Sequence, residues 1–198
     1  MTTIHLVRHA AVENPHHVWY GRLSGFPLSP RGRVQAAALG AHFLTHDIAA
    51  VFSSPLDRAA ETAEAIAREH QLPVKHDGRL LETETRLEGR RGHVRLFLNP
   101  ATLAMFSNPF RPSWAEPYDL VAARMQQFTD TAVDRFRGRN VVAVSHATPI
   151  NLLHLRLHGR RRPPWSSTER CRRASVTSLA FVDDEFCGCS YVELPPSP

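Results

Sequence analysis

The sequence predicts an α/β fold over its 198 residues, and three observations carry that reading. Short apolar runs of strand length alternate with longer helical patterns. Two helix starts are marked by Ser-Pro pairs, Ser29-Pro30 and Ser54-Pro55, where proline at the first helical position gives up an amide that would have no intrahelical partner. Arginine and histidine stand directly after apolar runs rather than within them, at Arg8-His9 and at His146.

The elements follow in order. Ile4–Val7 reads as a strand, and a polar loop containing Gly and Pro runs from Arg8 to Leu28. A helix capped by Ser29 has Val34, Ala38, Ala41 and Leu44 as its apolar stripe. Ala49–Ser53 is the second strand, and Ser54-Pro55 opens a helix with Leu56, Ala60, Ala63 and Ala67 on one face. Pro73–His76 is a brief strand. Residues 83–116 are irregular, with three prolines, Trp114 as an exposed-looking ring and the arginines Arg86, Arg90, Arg91, Arg95 and Arg111. They read as an excursion above the sheet with one short helix around Pro100–Phe106, too small for a core of its own. Pro117–Phe136 is a long amphipathic helix, Asn140–Ser145 a buried strand and Thr148–Leu157 a helix with Pro149 at its start. Ser175–Val182 and Cys189–Glu193 are final strands, turning at Asp183-Asp184-Glu185. The expectation is one domain over 1–198.

Composition narrows the function classes. Hydrophobic residues at 42% and charged residues at 22% exclude a disordered chain. Apolar runs fall far short of the ~20 residues of a membrane span, and the first residues lack the pattern of a signal peptide. Three cysteines cannot make a disulfide framework, which fits a reducing cytoplasm. The net charge is +5, and Lys75 is the only lysine among 24 basic residues. Arginine forks suit phosphate oxygens. Nucleic acid is disfavoured as a partner, because the arginines are scattered apart from Arg160-Arg161-Arg162 and Arg170/Arg172/Arg173, and aromatic residues do not interleave with them in a recognised DNA or RNA motif. No membrane partner is expected, and oligomeric state is not readable.

The strand ends carry the chemistry. In a parallel sheet the residues after the strands, Arg8-His9, Ser53-Ser54 with Arg58, and His146, share the edge at which α/β proteins bind ligands. Two histidines and two arginines converging there suit a tetrahedral dianion. A neutral imidazole can attack phosphorus, and arginines can neutralise the equatorial oxygens. A carboxyl group must protonate the leaving alkoxide, and Glu82, after Leu80-Leu81, leads the candidates. Glu84 has the same chemistry and shares its face if the stretch is extended.

Five segments carry a resemblance. "LVRHA" (Leu6–Ala10), "YGRLSGFPLSPRG" (Tyr20–Gly32), "SSPLDRAAETA" (Ser53–Ala63), "LLETETRLEG" (Leu80–Gly89) and "VVAVSHATPI" (Val141–Ile150) occur in the order of the histidine phosphatase superfamily. The chain resembles a short, actinobacterial-type branch of it along nearly its whole length. The resemblance implies a phosphoglycerate mutase-like, three-layer α/β sandwich, with a mostly parallel central sheet and helices on both faces. It implies His9 as the phosphorylated nucleophile, Arg8, Arg58 and His146 as phosphate ligands, and Glu82 as proton donor. Asn14, Arg22 and Ala147 become substrate-binding positions. The substrate implied is a small phosphate monoester, and neither cofactor nor metal is expected. Ala10 and Ala147 stand where the family has glycine, which is compatible with phosphate binding if neither position needs positive φ.

Competing readings are a phosphoglycerate mutase-type transfer, a catalytically weakened phospho-ligand or partner-binding member of the fold, and a metal-dependent hydrolase, for which the strand ends lack ligands. His154 and His158 read as a solvated helix face, since the glutamate of a His-Glu-x-x-His motif is absent. Cys187-Gly-Cys189 has no partner pair and reads as neither a zinc nor a redox motif.

Overall fold

The apolar run Val141–Val144 is fully buried, as a strand covered on both faces must be. In the computed structural model, which describes residues 1–91, 114–160 and 171–194, that run lies at the heart of a six-stranded sheet. The described elements are β1 (Thr2–Arg8), α1 (Pro30–Phe43), β2 (Ile48–Ser53), α2 (Asp57–Glu69), β3 (Val74–His76), a 3₁₀ turn (Gly78–Leu80), α3 (Tyr118–Arg135), β4 (Asn140–Ser145), α4 (Ala147–Leu157), β5 (Ser175–Val182) and β6 (Glu185–Glu193). The strand order is β3-β2-β4-β1-β5-β6. The first four strands are parallel neighbours, and β5 and β6 add antiparallel.

Alternation along the strands divides the core into two layers. Val7, Val51, Val142 and Val144 pack with Ala36, Leu39 and Phe43 of α1 and Ala59, Ala63 and Ile66 of α2. Ile4, Leu6, Val141 and Ala143 pack on the opposite face with Met125 and Phe128 of α3 and Ile150 and Leu153 of α4. Helices therefore cover both faces, giving the expected three-layer sandwich.

The buried face of α1 is not the expected one. Val34 and Leu44 are 51% and 57% exposed, while Gly32, Ala36, Leu39, Gly40 and Phe43 are buried. Small residues choose this face. A Cβ on Gly32 would collide with the Ala11 carbonyl oxygen, and one on Gly40 would sit 2.8 Å from the Ala65 carbonyl oxygen. Helix α2 also starts later than its Ser-Pro signal, at Asp57, with Leu56 at the cap and no side-chain capping bond. Its buried face is Arg58, Ala59, Thr62, Ala63, Ile66 and Ala67.

The final hairpin is longer than expected. Strand β6 begins at Glu185, and Asp183 and Asp184 both take positive φ, 49° and 65°, as a two-residue turn of the type that matches strand twist requires. The short helix expected around Pro100–Phe106, together with Arg95 and Arg111, lies outside the described residues. Among those described, no helix is long and apolar enough to cross a membrane.

Candidate active site

Because β1, β4 and β2 are adjacent and parallel, their carboxyl ends bring His9, His146 and Ser54 together. The His9 and His146 ring centroids are 5.1 Å apart. Both rings are almost completely buried, and Arg58, in the first turn of α2, is 1% exposed beside them. A cleft of about 510 Å³ is lined by their chain neighbours Arg8 and Ala147 together with Glu82 and Arg173, while His9, Arg58 and His146 themselves do not line it.

The hydrogen bonds define what each group can do. His9 Nδ1 donates to the Ala10 carbonyl at 2.8 Å, which leaves Nε2 as the basic nitrogen of a neutral ring. Burial, and then the charges of Arg58 and Arg8, hold this imidazole well below the usual 6.5. His146 is lowered in the same way, by burial and then by His9 and the arginines. Its Nε2 lies 2.9 Å from Ser54 Oγ, the hydroxyl of the Ser-Pro pair expected to open the second helix. Arg8 donates from Nη1 to the Cys171 carbonyl at 2.7 Å, and Arg58 from Nη2 to the Gly21 carbonyl. Tyr20 lies against the Arg58 guanidinium, 4.7 Å from ring centroid to Cζ.

Among the described residues, three buried nitrogens of this cluster have no hydrogen-bond partner: Arg8 Nε, Arg58 Nε and His146 Nδ1. Two fixed positive charges, neutral imidazoles and unsatisfied donors form an environment that an oxyanion completes. Helix α4 adds its N-terminus. His146 caps it without a side-chain bond, and Ala147 and Thr148 of the first turn line the cleft, so the positive end of its dipole faces the same space.

Glu82 and Glu84 part company in the structure. Glu82 lines the cleft, and burial raises its carboxyl above the ordinary 4.5, against the Thr83 amide and the charges of Arg8, Arg58 and Arg124. Glu84 is 71% exposed at its side chain and pairs with Arg22 at 3.2 Å. The shared face expected from extended alternation is therefore absent.

Arg22 is placed differently from the expectation as well. Its guanidinium donates to the Glu82 carbonyl at 2.6 Å and to Glu84 and Glu116 at 3.2 and 2.7 Å. It is committed to holding the strand of chain that carries Glu82 and does not line the cleft. Arg124 of α3 joins it, reaching the Glu82 carbonyl at 3.3 Å and Glu116 at 3.2 Å. This Arg22–Glu116–Arg124 clamp joins residues far apart in the chain, and no local spacing announces it. Asn14 lines the cleft, yet its amide is spent on the Val18 backbone, donating to the carbonyl and accepting from the N–H at 2.9 Å each.

Ala147 lines the cleft, and neither it nor Ala10 takes positive φ, so alanine fits where glycine was expected. The Ala10 N–H donates to Thr62 Oγ1 at 3.1 Å. Trp114 is half-buried rather than exposed and meets Trp19 edge-on, with centroids 6.2 Å apart, in the cleft wall. The described arginines of the excursion, Arg86, Arg90 and Arg91, are exposed and do not line the cleft. Arg173 does line it, a placement that its run of basic neighbours hid.

An α/β sandwich with paired histidines and arginines at its strand ends defines the class of phosphate-handling proteins. The chain belongs to the histidine phosphatase superfamily (branch 1), whose family model matches residues 4–189. It is 44% identical over 197 residues to uncharacterized protein Rv0525 of Mycobacterium tuberculosis (strain ATCC 25618 / H37Rv), covering 96% of this chain and 95% of that one. It is 29% identical to phosphoserine phosphatase 1 of Hydrogenobacter thermophilus, covering 80% and 77%. The solved structure of mycobacterial glucosyl-3-phosphoglycerate phosphatase Rv2419c superposes with a TM-score of 0.74 at 26% identity, covering 89% of each chain.

Proposed function

We propose that the protein is a metal-independent phosphatase that hydrolyses a small phosphate monoester through a phosphohistidine at His9. The observation that carries this reading is the state of His9: buried, uncharged, with Nδ1 committed to Ala10 and the lone pair left on Nε2, beside two arginines and a second histidine.

In the first step Nε2 of His9 attacks phosphorus and the ester P–O bond breaks. Arg8, Arg58, His146 and the α4 amides take up the charge on the equatorial oxygens. The Glu82 carboxyl gives its proton to the departing alkoxide. In the second step water attacks the phosphohistidine, its proton passes to the Glu82 carboxylate, and the P–N bond breaks to release phosphate and neutral His9. The raised affinity of Glu82 for its proton suits the first half of this cycle.

The cleft volume of about 510 Å³ suits a metabolite-sized ester. Trp19 and Trp114 offer apolar faces to the leaving group, and Arg173 at the cleft suits a second anionic group on it. The names of two relatives, phosphoserine phosphatase and glucosyl-3-phosphoglycerate phosphatase, agree with such a substrate. The test is turnover of p-nitrophenyl phosphate with and without chelator. Activity retained in chelator and inhibited by vanadate, whose trigonal-bipyramidal adduct imitates the transition state, supports the proposal. Strict dependence on an added divalent ion overturns it.

A further inference from the structure

A second cluster of reactive side chains lies at the other end of α4. His158, the residue capping the C-terminus of that helix, and His154, one turn before it, stack with ring centroids 4.2 Å apart. Cys189 of β6 faces both, with Sγ 3.7 Å from His154 Nδ1 and 3.8 Å from His158 Nε2. The three ligand-capable atoms all lie within 4.8 Å of one another.

Sheet geometry explains how an exposed edge strand delivers this thiol to the helix. Cys189 pairs with Leu179, whose side chain belongs to the core layer beneath α3 and α4. Phe186 pairs with Phe181 of that same layer and meets the His158 ring edge-on at 5.3 Å. Residues 186 and 189 are an odd number apart, so in a regular strand they would face opposite sides. The register shift between Ala180 and Phe181 leaves Cys187 unpaired opposite them and restores the parity. Cys187 is thus the bulged residue and stands apart from the cluster, although it shares the Cys-x-Cys pattern.

We propose that His154, His158 and Cys189 form a binding site for a borderline-soft divalent cation, with Zn²⁺ as the expected ion, that ties the β5–β6 hairpin to α4. Two features argue for a built site. First, a tetrahedral zinc with bonds of about 2.3 Å to sulfur and about 2.0–2.1 Å to nitrogen holds S and N roughly 3.6 Å apart, and both observed separations lie within 0.2 Å of that. Second, His158 Nδ1 donates to the His154 carbonyl at 2.8 Å, which places the lone pair on the Nε2 that faces sulfur. Metal-bound histidines are oriented by this kind of outer hydrogen bond. Three protein ligands leave the fourth position to water or an added donor. On binding, the Cys189 thiol proton passes to solvent and sulfur coordinates as thiolate. The two histidines are half-buried and exposed, as a solvated helix face would be; the third candidate ligand comes from a strand more than 30 positions further on, where helical spacing gives no sign of it.

The test titrates the full-length chain, reduced and stripped with chelator, first with Co²⁺ and then with Zn²⁺. The expected result is one Co²⁺ per chain with a thiolate-to-cobalt charge-transfer band that Zn²⁺ removes. Cys189→Ser loses the band and Cys187→Ser keeps it, while His154→Ala and His158→Ala each weaken binding by at least about tenfold. Cobalt held only by histidines elsewhere gives no thiolate band, so the readout is specific to this cluster and independent of turnover. Absence of the band in the parent chain, its saturation only at millimolar metal, or its loss in Cys187→Ser with retention in Cys189→Ser overturns the proposal.

Discussion

His146 Nε2 lies 2.9 Å from Ser54 Oγ, so the ends of β4 and β2 are joined by a side-chain hydrogen bond beneath the cleft. The helix that follows Ser54 starts without a side-chain cap. The same Ser54 hydroxyl accepts from the Leu56 N–H at 3.5 Å, so one side chain serves both the entry to the helix and the histidine.

Ser54→Ala should therefore lower kcat about tenfold with little change in KM, because His146 loses its orienting partner. His146→Ala should cost on the order of 10²–10³ in kcat, as removal of one preorganised donor does. Steady-state kinetics on one substrate checks both. A Ser54→Ala variant with parental kcat would reduce Ser54 to a structural residue.

The acid is tested by leaving-group dependence. An alkyl phosphate needs a protonated leaving oxygen, whereas p-nitrophenolate departs unaided. Glu82→Gln should lose about 10²–10⁴ in kcat on the alkyl ester and far less on the nitrophenyl ester. Glu84→Gln should stay within about threefold on both, since exposed ion pairs are worth only ~0–1 kcal/mol. The proton on Glu82 is lost as pH rises through its raised pKa. The alkaline fall in alkyl-ester turnover should therefore flatten in Glu82→Gln relative to the parent on the same ester.

Much of this site is legible in the sequence, because Arg8, His9, Arg58 and His146 sit at strand and helix ends, where order along the chain maps directly onto one sheet edge. The rest depends on contacts that local pattern does not encode. Ser54 carries a helix-start signal, and the contact of its hydroxyl with His146, far along the chain, is invisible to local pattern. The stripe of α1 is misread because an Ala-rich helix has little contrast, and the glycines that permit close approach mark the buried face better than Val34 or Leu44. Arg22 resembles a ligand-binding arginine, yet Glu116 and Glu84 claim its guanidinium. Cys189 reaches His158 only through a bulge, which shows itself only in the pairing of β5 with β6.

Acid should destabilise the fold through buried neutral histidines. His5 is pushed down to about 4 by burial and by His46, with His42 adding to the shift against a hydrogen bond to Asn140. Its folded pKa lies below the unfolded value of 6.5, so the unfolded chain binds the extra proton. Stability is then complete above pH 6.5 and lost as pH falls from 6.5 toward 4. For His5 alone the loss between pH 7 and pH 5 is about 2 kcal/mol, and His9 and His146 act in the same direction. Urea unfolding at the two pH values should show a smaller acid loss in His5→Gln than in the parent. Equal losses would remove His5 from this account.

The most direct measurement is rapid quenching of the full-length protein with a ³²P-labelled monoester during turnover. The account predicts a labelled protein that is acid-labile and stable in base, as a phosphoramidate is, with the label on His9 in the digested peptide and none in His9→Ala. That variant should also lose at least about 10³-fold in kcat. Turnover in His9→Ala at the parental rate, or label carried on any other residue, would contradict it.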